Sequence, residues 1–312
     1  MVKSNERGRA LEYRIAIEID HFLEKELKLD VISSDSTKRL NFQHSSYFNE
    51  LDDETKEDFD KCAKAVVKWL KMQDWFDDAA TVTIDRFGDD KAKNADPTDI
   101  QLGVSYNNGS FAFKNLSVKH HHNALCHPRL PSLAYQCGIK DEKIDLNYRE
   151  SYDKIWDDFH SKVKSLKRNI ATYKELDAIS ESYKYDWLYE PLQQNAVNFL
   201  WKHANDQLHV AAFFKYLVGS NEYYVLKNET GHIEIKHFSG IAQPSGFQIT
   251  YPYKSRKNTF FMEFNNGWKI TFRLHTASSR IEKDEKIYKT EKEDPICINL
   301  EKLITIESVA KD

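Results

Sequence analysis

The chain has 312 residues, 40% of them hydrophobic and 30% charged, with a formal net charge of -4; that is room for one large domain or two modest ones around a real core. No apolar run approaches the about 20 residues that cross a bilayer, the start MVKSNERGRALEYR lacks the apolar stretch of a secretory leader, and Cys62, Cys126, Cys137 and Cys297 show no paired spacing, which favours reduced thiols in a cytoplasm over a disulfide framework. The slight acidity argues against a passive, uniformly basic nucleic-acid binder, but not against an enzyme that holds a metal with carboxylates and confines its basic residues to one cleft.

In chain order, residues 8–28 read as a helix, because Leu11, Ile15, Ile19, Phe22 and Leu23 recur at helical spacing. Residues 29–50 read as polar and irregular. A second helix is expected over about 53–73, capped by Asp52 or Asp53, with Phe59, Val66, Val67 and Leu70 as its stripe. The β-branched run AATVTIDRF, 79–87, reads as a strand, and GDDKAKNADPTD as a loop. DIQLGVSY (99–106), the turn Asn107-Asn108-Gly109 and SFAFKNLSVK (110–119) read as an antiparallel hairpin. The middle is helical, over about 148–172 and again over 190–218, as one helix or two ending at Gly219. From Asn221 the period becomes two, and EYYVLKN, HIEIKHF, FQITYPY, NTFFMEF and WKITFRLH read as strands. The tail from Glu282 is highly charged and expected to be mostly exposed. The order implies an α/β fold, a mixed β-sheet flanked by helices with a β-rich C-terminal part. The expected division is 1–220 as the core with a helical insertion and 221–312 as the β-rich part packed on it.

The hairpin carries the chemistry. Asp99 begins its first strand and Lys119 ends its second, so the turn sets an acid beside a lysine. Ser117 shares the face of Lys119, two residues away. A carboxylate that binds a divalent metal, which in turn activates water, and a lysine that steadies developing negative charge are what phosphodiester hydrolysis needs. A second carboxylate normally completes such a metal site. Glu12, beside the apolar stripe of the first helix, is the best placed. Asp96, just before Pro97, is a rival for Asp99, and Asp85 a weaker one. Read without further context, Asp99 is equally a turn-capping residue and Lys119 an exposed strand-end charge.

The stretch DPTDIQLGV…NLSVKHHH resembles the PD-(D/E)XK nuclease motif, with Asp99 at its metal-binding acid and Lys119 at its lysine. GRALEYRIA resembles the helix that precedes this motif in many restriction enzymes, with Glu12 at the helix acid. More narrowly, LSVKHHHNALCHPRL, FFKYLVGSNEYYVL and FNNGWKITFRLHTASSRIE resemble the HaeIII restriction endonuclease family. That resemblance spans Gly8 to Glu282 and implies a restriction-endonuclease-like core and a type II, Mg²⁺-dependent site-specific deoxyribonuclease. Its expected target is double-stranded DNA at a short palindrome such as GGCC. A homodimer would match the symmetry of such a site, and a partner DNA methyltransferase is implied by analogy. Asp99 and Glu12 would bind Mg²⁺ and Lys119 would stabilise the transition state. The chain departs from the general motif at Ser117, where a second acid is usual; a serine there would position only a metal-bound water. The departure keeps open a catalytically inactive DNA-binding protein on the same scaffold.

His120, His121 and Arg129, the cluster Lys254, Arg256 and Lys257, and Arg273 and His275 are expected to contact DNA, tracking phosphates or reading base edges. Lys140 and Arg280 flank them. An ordinary solvated surface is the plain alternative for such charged runs. The run His120-His121-His122 with Cys126 and His127 also invites structural zinc. Consecutive histidines cannot all face one metal, and no second Cys/His pair stands at ligand spacing, so a DNA-contacting loop is preferred.

Overall fold

A computed structural model describes residues 4–88, 96–121, 128–219, 221–251, 258–274, 280–281, 296–300 and 305–311. The helices are α1 (Ser4–His21), α2 (Asp35–Asn49), α3 (Asp53–Leu70), α4 (Leu133–Gln136), α5 (Glu142–Ser165), α6 (Tyr173–Asp177), α7 (Glu190–Lys202) and α8 (Gln207–Val218). The strands are β1 (Asp30–Ser33), β2 (Ala79–Arg86), β3 (Ile100–Tyr106), β4 (Phe111–His120), β5 (Tyr223–Glu229), β6 (His232–Phe238), β7 (Phe247–Thr250), β8 (Thr259–Phe264), β9 (Lys269–Leu274), β10 (Ile296–Leu300) and β11 (Thr305–Ala310). The fold is α/β, with a mixed sheet flanked by helices, as the alternation of periods implied.

The chain forms two compact units and crosses between them after Asn123, Gly219, Ile241 and Lys302. The first unit holds 1–123, 220–241 and 303–312. Its seven strands run in the order β1-β2-β3-β4-β5-β6-β11. The β1–β2 and β4–β5 pairs are parallel and the others antiparallel. Leu11, Ile15 and Ile19 of α1 and Val66 and Leu70 of α3 form one apolar cluster with Val82, Ile84, Leu102, Val104, Leu116 and Val118 of the strands. Alternate strand residues supply that face, which is the pattern of a sheet covered on the side of its helices. The second unit holds 124–219 and 242–302. There α8 sets Phe213 against Phe272, ring centroids 6.2 Å apart, and Phe214 against Phe264 at 4.9 Å. Its four-stranded sheet, β10-β9-β8-β7, is antiparallel throughout.

Three local expectations are corrected. Residues 29–50 are not irregular: β1 is followed by α2, whose N-cap Ser34 accepts a hydrogen bond from the Thr37 amide at 3.3 Å. Its fully buried positions, Thr37 and His44, are polar, and its apolar contacts, Tyr47 and Phe48, are only partly buried against the core, so its inward stripe is weak in the sequence. The helix expected over about 148–172 is α5 and runs from Glu142 to Ser165; it starts earlier because Asp141 accepts from the Lys143 and Ile144 amides. The charged tail includes strands: β10 pairs with β9 and β11 with β6. No helix among the described residues is long and apolar enough to cross a membrane.

Candidate functional site

The first unit brings Glu12, Asp99, Ser117 and Lys119 together. Asp99 lies just outside β3, yet its backbone is fixed from both sides. Its amide donates to the Leu116 carbonyl at 2.9 Å and its carbonyl accepts from the Phe87 amide at 3.0 Å. Because β3 runs out at Ile100 opposite Leu116, the next amide on that side of β4, Val118, has no strand partner. The Asp99 carboxylate takes it, accepting from Val118 N at 2.6 Å and from the Ser117 hydroxyl at 3.2 Å. Lys119 Nζ stands 3.6 Å from the same oxygen. Ser117 is fully buried and spends its hydroxyl on Asp99. Asp96, the rival acid, instead accepts from the Thr98 amide at 3.0 Å and closes the turn around Pro97.

Glu12 projects from α1 toward this cluster. Burial raises its pKa to about 8, and the charge of Asp99 adds to the rise, against the opposing pull of Arg86 and Lys119. Desolvation therefore outweighs the guanidinium 3.4 Å away. A cation bound beside Glu12 would oppose that rise and favour the carboxylate.

The sequence reading missed Arg86. It ends β2 with its side chain fully buried. Nη1 donates to Asn41 Oδ1 at 2.7 Å, Nη2 meets His44 Nδ1 at 2.9 Å, and the backbone amide donates to Thr37 Oγ1 at 2.8 Å. Burial lowers its pKa, while Glu12 and Asp99 oppose the fall. A signal was present: Val82, Ile84 and Arg86 share one parity of β2, so period two alone puts this arginine on the core face. Its partners sit in the segment read as irregular.

Of the residues expected to touch DNA, His120 packs edge-on against Phe59 at 5.2 Å, and burial depresses its pKa to about 4. His121, next along, has a positive φ of 57° and is exposed, 3.5 Å from Glu229. Arg129 and Arg273 are exposed residues of the second unit. Lys254, Arg256, Lys257 and His275 lie outside the described residues, as do His122, Cys126 and His127 of the zinc reading. Among the described residues, no three His, Cys, Asp or Glu side chains converge as a metal-holding group. The donor set nevertheless fits Mg²⁺, which is held by one or two carboxylates and keeps water and substrate phosphate as its other ligands.

A family model described as HaeIII restriction endonuclease matches residues 8–239. The class is thus the type II restriction endonucleases, a class of site-specific nucleases. Within that class, the chain belongs to the HaeIII restriction endonuclease family. The type II restriction enzyme HaeIII of Haemophilus aegyptius is 23% identical over 309 aligned residues, covering 90% of this chain and 91% of that protein. Among solved structures, restriction endonuclease MspI in complex with its cognate DNA matches at 13% identity, covering 69% of this chain and 80% of that one. Its TM-score of 0.28 is too low for a residue-by-residue match.

Proposed function

We propose that the chain is a Mg²⁺-dependent endonuclease that hydrolyses phosphodiester bonds of duplex DNA at a short palindrome. The observation that carries this reading is the meeting of Glu12, Asp99 and Lys119, from a helix, a strand entry and a strand end, around one polar, largely buried point. Asp99 and Glu12 would hold the cation. When bound, it polarises the phosphate and lowers the pKa of the attacking water. Lys119, fixed against Asp99, sets a positive charge where negative charge grows on the phosphorus oxygens. Ser117 and the Val118 amide hold the Asp99 carboxylate in place. Ser117 serves by orienting that acid, which supports activity without the usual second acid. His120, His121, Arg129, Lys254, Arg256, Lys257, Arg273 and His275 are assigned to DNA contact.

Family membership supports a target such as GGCC, a homodimer matching its two-fold symmetry, a cytoplasmic setting and a methyltransferase protecting the host sequence. The separation into a nuclease core and a DNA-gripping β-rich part stands as part of the same proposal. The second reading, an inactive DNA-binding protein on this scaffold, rests on Ser117 alone.

The test is a digest of unmethylated plasmid with and without Mg²⁺, alongside Asp99→Ala and Lys119→Ala. Discrete fragments that need Mg²⁺ and vanish in both variants are expected, and their ends give the site. Intact plasmid with folded wild-type protein that still binds DNA selects the second reading.

A further inference from the structure

The second unit contains a cleft of about 420 Å³ between α5 and α7, within the size range of small-molecule sites. On α5 it is lined by Ile144, Asn147, Tyr148 and Ser151, and on α7 by Asn195, Asn198, Phe199 and Lys202. Each set follows the i, i+3, i+4, i+7 spacing of one helical stripe. Where two helices pack, such stripes are ordinarily apolar; here most positions are polar.

Among the described residues, two of these groups find no hydrogen-bond partner: the Tyr148 hydroxyl and Asn195 Nδ2 are both buried, and Tyr148 as a whole is 5% exposed. Buried polar groups nearly always find a partner, and leaving one unmade is costly. Their neighbours are already engaged: Asn198 Oδ1 accepts from Gln194 at 2.8 Å and Ser151 donates to the Asn147 carbonyl at 3.1 Å. Three rings form a row along the cleft. Tyr148 and Phe199 have centroids 4.6 Å apart, and Phe199 and His203 5.1 Å. Burial lowers the pKa of His203, and the neighbouring His209 adds to the fall. No carboxylate is among the described lining residues, and the only charge is Lys202.

Aromatic side chains, an unpartnered buried amide donor, an unpartnered buried hydroxyl and one cation at the rim suit a heterocycle that bears acceptors and an anionic group. We propose that this cleft binds a nucleotide, with its base against the ring row, a base acceptor on Asn195 Nδ2 and its phosphate at Lys202. Two sources share that chemistry: a free mononucleotide, or a nucleotide extruded from a duplex, which requires unstacking before it is read in a pocket.

Two fluorescence titrations in EDTA test this. The first uses 2-aminopurine deoxynucleoside and its monophosphate; the second uses a duplex containing one 2-aminopurine. Without divalent cation no cleavage intervenes, so the result stands apart from the nuclease reading. For a free nucleotide, wild type quenches the monophosphate saturably. Asn195→Leu binds it roughly tenfold more weakly, the loss of one hydrogen bond, and Lys202→Glu weakens the monophosphate but not the nucleoside. For an extruded nucleotide, the duplex signal rises on binding and the rise is lost in Asn195→Leu. Lys202 is exposed, so its substitution leaves the helices packed, and circular dichroism checks Asn195→Leu. No saturable change with either probe overturns the proposal. So does a change that Asn195→Leu leaves intact, or a Lys202→Glu effect equal for nucleoside and monophosphate.

Discussion

Arg86 shows how one buried side chain ties two helices to a strand end. Its guanidinium reaches Asn41 and His44 of α2 and Glu12 of α1, and nothing apolar of the same shape can satisfy those groups. Arg86→Met is expected to lower stability by at least about 2 kcal/mol in urea unfolding, since several buried polar groups lose their partner together. Wild-type stability in that variant would show that α2 and Glu12 are held by other contacts. His120 gives a pH prediction. Its pKa falls from an ordinary 6.5 to about 4 because burial disfavours the charged ring, with His121 beside it. The unfolded chain then takes up this proton first as pH falls. The penalty is absent above 6.5, grows between 6.5 and 4 and is complete below. His120→Gln should therefore show a shallower loss of Tm than wild type across that window, and an identical slope would remove the assignment.

At the scale of elements, the hairpin that carries Asp99 and Lys119 was legible because its signals are local: β-branched alternation, an Asn-Asn-Gly turn and a Pro-containing approach. Asp99 beside Lys119 follows from turn geometry alone. The α2 helix was not legible, because its fully buried residues, Thr37 and His44, are polar and find their partners far away in sequence, while its apolar Tyr47 and Phe48 are only partly buried. Close approach within the sheet is equally invisible in sequence. A Cβ on Gly103 would collide with Thr83 Oγ1 and lie 3.0 Å from the Phe111 ring. Gly103→Ala is expected to cost about 1–3 kcal/mol by overpacking, read from the urea midpoint. Adding Thr83→Ala should recover part of it; an unaffected midpoint in the single variant would contradict this packing.

At the scale of the molecule, a linear reading meets a discontinuous chain. The first sheet draws β5, β6 and β11 from sequence far beyond β4, and its last strand comes from a tail whose charge argued for exposure. Trp69 Nε1 donates to Glu307 at 2.9 Å and Lys311 Nζ to Asp58 at 2.6 Å, so the charges that hid this strand also bind it to α3. Glu12 differs: its place beside the apolar stripe of α1 marked it in the sequence, although its approach to Asp99 and Lys119 is set by packing. The measurement that tests the account most directly is the single-turnover cleavage rate of Glu12→Gln with saturating Mg²⁺ on a duplex carrying the recognition sequence. Glutamine keeps the shape and the Arg86 contact and loses only the charge. The rate is expected to fall at least about a hundredfold, the loss of a group that holds the cation in the transition state, with duplex binding in Ca²⁺ retained. A rate within about twofold of wild type, by the same measure, would contradict a role for Glu12 in holding the cation.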